Sequence, residues 1–135
     1  MCRQVLGFDD NLSTCCFTPD IEPESVSLNG DIIAIDLNKA HALSEDGHAA
    51  YVDIKEKDVR LIVIHVSKRK YYALSRHCTH GNQALSYIKE RKLVQCNSFN
   101  HSAFELNGNV WKGPAPTPIQ AYEVQLFKRE LRILL

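Results

Sequence analysis

The chain has 135 residues, 44% hydrophobic and 24% charged, with 16 basic side chains balanced by 16 acidic ones. That length argues for one domain with enough chain to bury a core. A formal net charge of zero excludes the broad basic footprint of a nucleic-acid or polybasic membrane binder. No apolar run approaches the ~18 residues of a transmembrane helix. The N-terminus also lacks the long apolar stretch of a signal peptide. The expected compartment is therefore the cytoplasm, or the periplasm or a membrane anchor if the N-terminus is a processed or truncated start.

Cys2, Cys15 and Cys16 fall near the N-terminus, while Cys78 and Cys96 stand alone in the body. An odd count with two adjacent members does not fit the disulfide framework of a small secreted scaffold. A bond between the neighbours Cys15 and Cys16 would be strained. We read the three as free thiols on an N-terminal extension covering residues 1–22, since chain termini are commonly loose. Leu12-Ser13-Thr14-Cys15 has the outline of a lipid-attachment box, but Thr14 is a poor residue before such a cysteine. The domain proper is expected over residues 23–135.

Short strands separated by turn signals dominate that domain. Residues 24–28 and 31–37 flank Asn29-Gly30, a hairpin signal because both positions tolerate positive φ. Residues 38–48 are polar and alanine-containing, a loop or a short helical turn. Residues 49–54 and 59–66 form the next pair, and Leu61-Ile62-Val63-Ile64 is apolar on both faces, as a central strand is. Residues 71–74 and 92–95 are further strands, and a second hairpin centres on Asn107-Gly108. Residues 121–127 and 131–135 close the fold. No segment sustains a 3.6-residue period over ten residues or more, so the class is all-β, a sandwich or small barrel. Between about residues 75 and 118 the pattern breaks into glycine- and proline-marked loops, where binding chemistry tends to sit.

Those loops hold Cys78-Thr79-His80 and Cys96-Asn97-Ser98-Phe99-Asn100-His101. Two thiolates and two imidazoles suit zinc or an iron–sulfur centre. Structural zinc sites favour Cys-x(2–4)-Cys and His-x(3–5)-His knuckles, so Cys-x-His is an unusual zinc spacing. Two cysteines and two histidines are also the ligand set of a Rieske two-iron, two-sulfur cluster.

From about residue 30 onward the chain resembles the Rieske family. Cys78-Thr79-His80-Gly81-Asn82 is similar to the first loop of the small Rieske ferredoxins that serve aromatic-ring dioxygenases. The stretch Phe104-Glu105-Leu106-Asn107-Gly108-Asn109-Val110-Trp111-Lys112-Gly113-Pro114-Ala115-Pro116 is closer to the Rieske subunits of cytochrome bc-type complexes, whose Gly-Pro-Ala-Pro loop covers the cluster. The resemblance implies a fold of small antiparallel sheets with a cluster-binding loop subdomain at one end. It implies one 2Fe-2S cluster per chain, with Cys78 and Cys96 on the buried iron and His80 and His101 on the outer iron. The implied activity is one-electron transfer with a redox partner protein, a reductase, oxygenase or cytochrome. Such a carrier is an electron-transfer component and not itself a catalyst. The competing reading is a cluster-free Rieske-like small subunit or assembly module of a reductase. A third is a detached subunit of a membrane respiratory complex.

Two departures bear on that carry-over. The family spaces its second pair Cys-x2-His, whereas four residues separate Cys96 from His101. Counting forward from Cys96 lands on Phe99, and counting back from Phe104 lands on Asn100. Neither side chain replaces imidazole on iron; His101, the ligand implied by the resemblance, lies one position beyond, where a lengthened loop could bring it into place. The bc-type subunits also brace the cluster with a disulfide, and here Gln83 stands at the first of those positions. The aromatic that carries a hydroxyl in high-potential members is Phe104, which leaves Ser102 as the hydroxyl donor. Hydrogen bonds to the cluster sulfurs raise the potential, so losing one places it in the lower half of the roughly −150 to +300 mV Rieske range.

The other marked residues read as structural. His77 is expected at the surface or behind the ligands, and His65 as a satisfied, partly buried histidine. His41 and His48 are expected in solvent, and Lys68-Arg69-Lys70 as a solvated turn able to meet an acidic partner. Trp111 and Tyr122 are expected in the core or over the cluster.

Overall fold

The computed structural model describes residues 18–77, 84–96, 102–113 and 117–135. The described chain forms eleven strands. They are Val26–Asn29 (β1), Ile32–Asp36 (β2), His48–Ile54 (β3), Val59–Ser67 (β4), Lys70–Ser75 (β5), Leu85–Ile88 (β6), Leu93–Cys96 (β7), Ala103–Glu105 (β8), Val110–Lys112 (β9), Ala121–Phe127 (β10) and Glu130–Leu134 (β11). Short 3-10 turns occur at Pro23–Ser25, His41–Leu43 and Lys55–Lys57, and the described residues contain no α-helix. None of their helices is long and apolar enough to cross a membrane. The all-β class and the antiparallel pairing agree with the sequence reading.

Seven strands form one sheet in the order β1-β2-β11-β10-β5-β4-β3, and the other four form a sheet in the order β6-β7-β8-β9. The large sheet curls, so that its edge strands β1 and β3 line one groove. The apolar run in β4 joins the two sheets. Leu61 and Val63 point into a core with Ile33, Ile35, Val52, Leu131 and Ile133. Ile62 and Ile64 point the other way, into a core with Leu74, Leu85, Val94, Cys96 and Phe104. A strand alternates its side chains between two faces, so a run apolar on both faces can serve two cores. All four of these β4 residues are fully buried.

Local details differ from the sequence expectation for identifiable reasons. Asn29 pairs with Ile32, so the first turn is Gly30-Asp31. Of the two, only Gly30 has positive φ, at 61°, the pattern of a hairpin turn with glycine in its first central position. Pro23 fixes a 3-10 turn over Pro23–Ser25, and β1 therefore begins at Val26. Strand β6 had no counterpart in the sequence reading. Lys92 has φ 54° and belongs to the turn before β7. The Asn107-Gly108 hairpin is present: Asn107 Oδ1 accepts from Asn109 N at 3.0 Å. Gly108 has φ 96°, and a Cβ there would collide with the Ile119 carbonyl oxygen.

Candidate metal centre

The small sheet brings three connections to one end. Strand β6 starts at Leu85, and β7 ends at Cys96; these two residues are ladder partners. The exit of the first loop, residues 78–83, therefore adjoins the entry of the second, residues 97–101. At the next step β8 starts at Ala103, the partner of Lys112 at the end of β9. The exit of the second loop thus adjoins the entry of the third connection, which begins with Gly113. Antiparallel order and register alone set this convergence.

Each of the two Cys/His loops is closed at its base. His77 bridges Ala84 across the first, and Leu85 N donates to Arg76 O at 2.9 Å. Cys96 N donates to Ser102 O at 2.7 Å across the second. Cys96 is buried, with its neighbours Leu85, Val94 and Phe104 in the same apolar cluster. Ser102, its backbone partner across the loop base, is fully buried at the loop exit. Phe104 is also fully buried and fills the core between the two sheets.

Of the predicted ligands, Cys96 is the one within the described residues. Cys78, His80 and His101 lie outside them, as do Cys2, Cys15, Cys16, Gln83, Phe99, Asn100 and residues 114–116. Among the described residues no group of three or more His, Cys, Asp or Glu is arranged to hold a metal ion.

Other expectations can be placed. His65 is buried, with Nδ1 2.8 Å from Leu43 O and Nε2 3.1 Å from Lys68 O, and it stacks on Tyr71 at 4.3 Å. It belongs to the structure, as expected. His41 is exposed, while His48 is half-buried with Nε2 3.7 Å from Glu45. His77 is half-buried, and burial, then the charges of Arg76 and Arg60, lower its pKa. Tyr122 packs against the large-sheet core. Trp111 is 49% exposed, which removes the core alternative: its edge strand turns it outward, and Arg91 lies over its ring at 5.7 Å; the loop residues that it was expected to cover lie outside the described ones.

Three residues that the sequence did not mark act at the loop bases. Tyr51, in β3, donates its hydroxyl to Leu85 O at 2.8 Å, across 34 residues of sequence. Arg76 lies 4.4 Å over the Tyr51 ring and donates through Nη1 to Asp53 Oδ1 at 2.9 Å. The buried Nε of Arg76 has no acceptor among the described residues. Contacts this far apart in sequence leave no local motif.

A protein-family model described as the Rieske [2Fe-2S] domain matches residues 34–123. The chain belongs to the Rieske family. Membership implies a 2Fe-2S cluster and, with it, electron transfer. Among solved structures the Rieske chain is similar to the ferredoxin of carbazole 1,9a-dioxygenase from Nocardioides aromaticivorans IC177. That match has a TM-score of 0.61 and 19% identity, covering 75% of this chain and 93% of the other. It is also similar to the cyanobacterial plasma membrane Rieske protein PetC3 from Synechocystis PCC 6803. Here the TM-score is 0.55 and the identity 18%, covering 64% of this chain and 86% of the other. These likenesses bear on the fold. No curated protein matches the chain.

The described residues fit such a group. A cysteine sulfur is a soft donor that gives up its proton on binding a metal, and Cys96, only 1% exposed, is placed to serve an enclosed iron. The ladder pair Leu85–Cys96 places the two Cys/His loops side by side at their bases.

Proposed function

We propose that this chain is a single-domain Rieske ferredoxin with a bc-type Gly113-Pro114-Ala115-Pro116 loop, its domain spanning residues 23–135 behind an extension of residues 1–22. It exchanges one electron at a time with a partner protein, a reductase, oxygenase or cytochrome. Cys78 and Cys96 hold the inner iron and His80 and His101 the outer one. The observation that carries this reading is the convergence of the two Cys/His loops at the Leu85–Cys96 ladder pair. The likeness to a dioxygenase ferredoxin supports the oxygenase system as the setting, and we place the protein in the cytoplasm.

A bound 2Fe-2S cluster supplies a one-electron couple. The chain's own residues set the conditions for it. The apolar cluster around Cys96 excludes water from one side of the loop base. Phe104 offers no hydroxyl, and Ser102 is left as the donor from this segment. The potential therefore falls in the lower half of about −150 to +300 mV. The chain needs no substrate pocket for this work, which consists of holding a group and presenting it.

The test is expression under anaerobic, iron-replete conditions, followed by iron and sulfide analysis. Red-brown protein with equal iron and acid-labile sulfide supports the reading, and colourless protein rejects it. Separate His101→Ala and Asn100→Ala variants then locate the fourth ligand. Loss of colour in His101→Ala alone is expected. A midpoint in the upper half of the range would defeat the argument from Phe104.

A further inference from the structure

The loop end of the small sheet is gripped from the large sheet by side chains to which ligand chemistry assigns no part. The Tyr51 hydroxyl donates to Leu85 O at 2.8 Å, and Leu85 is the ladder partner of Cys96. Leu85 N in turn donates to Arg76 O at 2.9 Å. Arg76, two residues before Cys78, lays its guanidinium 4.4 Å over the Tyr51 ring. Its Nη1 is 2.9 Å from Asp53 Oδ1, with the Arg76 side chain 20% exposed and that of Asp53 41%. Tyr51 is also fixed from its outer edge. Its backbone N donates to Pro19 O and its O accepts from Ile21 N, both at 2.9 Å.

One residue of β3 thus connects an incoming segment, the first loop's base and the strand pair that ends in Cys96. Arginine stays charged throughout the accessible pH range, and a charge withdrawn from water is screened less by solvent. Net charge near an iron–sulfur centre shifts its potential: a cation favours the added electron and an anion opposes it. Arg76 and Asp53 therefore act with opposite signs, although they form one ion pair.

We propose that Tyr51, Arg76 and Asp53 form a positioning clamp that fixes the two ligand loops against each other and tunes the potential of the centre they hold. This rests on the ligand reading proposed above.

The experiment uses the full chain carrying its cluster and four variants: Tyr51→Phe, Arg76→Gln, Arg76→Lys and Asp53→Asn. Midpoint potential, paramagnetic resonance spectrum, bleaching rate in a strong iron chelator and thermal melting are measured on each. Tyr51→Phe should bleach several-fold faster and show shifted resonance values, with melting close to wild type. Arg76→Gln should lower the midpoint and Asp53→Asn should raise it. Arg76→Lys should keep the wild-type midpoint yet bleach faster, because the flat stack on Tyr51 is lost while the charge remains. Midpoints of Arg76→Gln and Asp53→Asn that move in the same direction, or not at all, overturn the clamp as a tuning device. Unchanged bleaching and spectrum in Tyr51→Phe overturn it as a positioning device. The Asp53→Asn and Arg76→Gln changes leave both hydrophobic cores untouched, so the sign test stands even if Tyr51→Phe folds poorly. A wild-type chain that binds no iron overturns the ligand reading and the clamp together, whereas a normal wild-type centre with unresponsive variants overturns the clamp alone.

Discussion

Both sheets are antiparallel, but they treat their ends differently. In the large sheet β1–β2, β4–β5 and β10–β11 are joined by two-residue turns, Gly30-Asp31, Lys68-Arg69 and Lys128-Arg129. The small sheet has compact turns at one end only. At the other it leads into the long connections on which the cysteine–histidine pairs sit. Its strands have three or four residues each, too few to be stable alone, and it gains burial by packing on Ile62, Ile64 and Leu74 of the large sheet. Stability is concentrated in one sheet and chemistry in the other, with β4 as their shared wall.

The most severe test of this division is Phe104→Ala. Phe104 is fully buried between the two sheets, and its truncation should cost about 3–5 kcal/mol, read as a drop in the denaturant midpoint. A cost below about 1 kcal/mol would mean that the small sheet does not depend on this core. Next come the adjacent pair Leu61→Ala and Ile62→Ala, each expected to cost about 2–5 kcal/mol. Their consequences should separate. Hydrogen exchange at Leu85 and Cys96 should accelerate in Ile62→Ala, and exchange in β2 and β11 should accelerate in Leu61→Ala. Equal patterns would show that β4 does not divide the two cores.

A milder prediction follows from the tyrosines. Burial raises the pKa of Tyr71, Tyr87 and Tyr122 above the ordinary 10.0. A raised folded value favours the neutral phenol in the native state. Its contribution is complete below about pH 10, where unfolded tyrosine begins to ionise, and is lost as pH rises through the folded value. Alkaline titration should therefore show tyrosinate absorbance from these residues later than from an unfolded control, with melting temperature falling over that window. Tyr71 and Tyr122 report on the large-sheet core and Tyr87 on the shared one. Trp111→Ala should have the smallest effect on folding, within about 0.5 kcal/mol, because the ring stands half in solvent under Arg91. A larger loss would return Trp111 to the core.

The parts of the fold that were legible in sequence are those with a local signature. Leu61-Ile62-Val63-Ile64 announces a strand buried on both faces by its unbroken apolar run. Asn107-Gly108 announces a turn that needs its glycine. Strand β6 escaped because Leu85-Ser86-Tyr87-Ile88 is short, and its burial comes from packing on β3 and β4. The turns at Asp58 and Lys128 fall where the expected strand bounds leave them, but their left-handed backbone, with φ values of 53° and 59°, left no signal because residues other than glycine carry it. Trp111 misled because a large aromatic suggests a core, whereas an edge strand can turn it to water. Tyr51, Arg76 and Asp53 act entirely through non-local contacts, which composition and spacing do not record.

The position of β11 also bears on how the molecule is made. The last strand in sequence lies between β2 and β10, with Leu131 and Ile133 fully buried. During synthesis from the N-terminus, the β1–β2 hairpin emerges before the other strands and waits for its neighbour until residues 37–129 have followed. Such long-range pairing slows folding. By then β3 to β9 are already available, including both Cys/His loops and the wall of β4 that supports the small sheet. The ribosome thus releases the parts of the metal centre before the strand that closes the large sheet, and the order of assembly can run from site to scaffold.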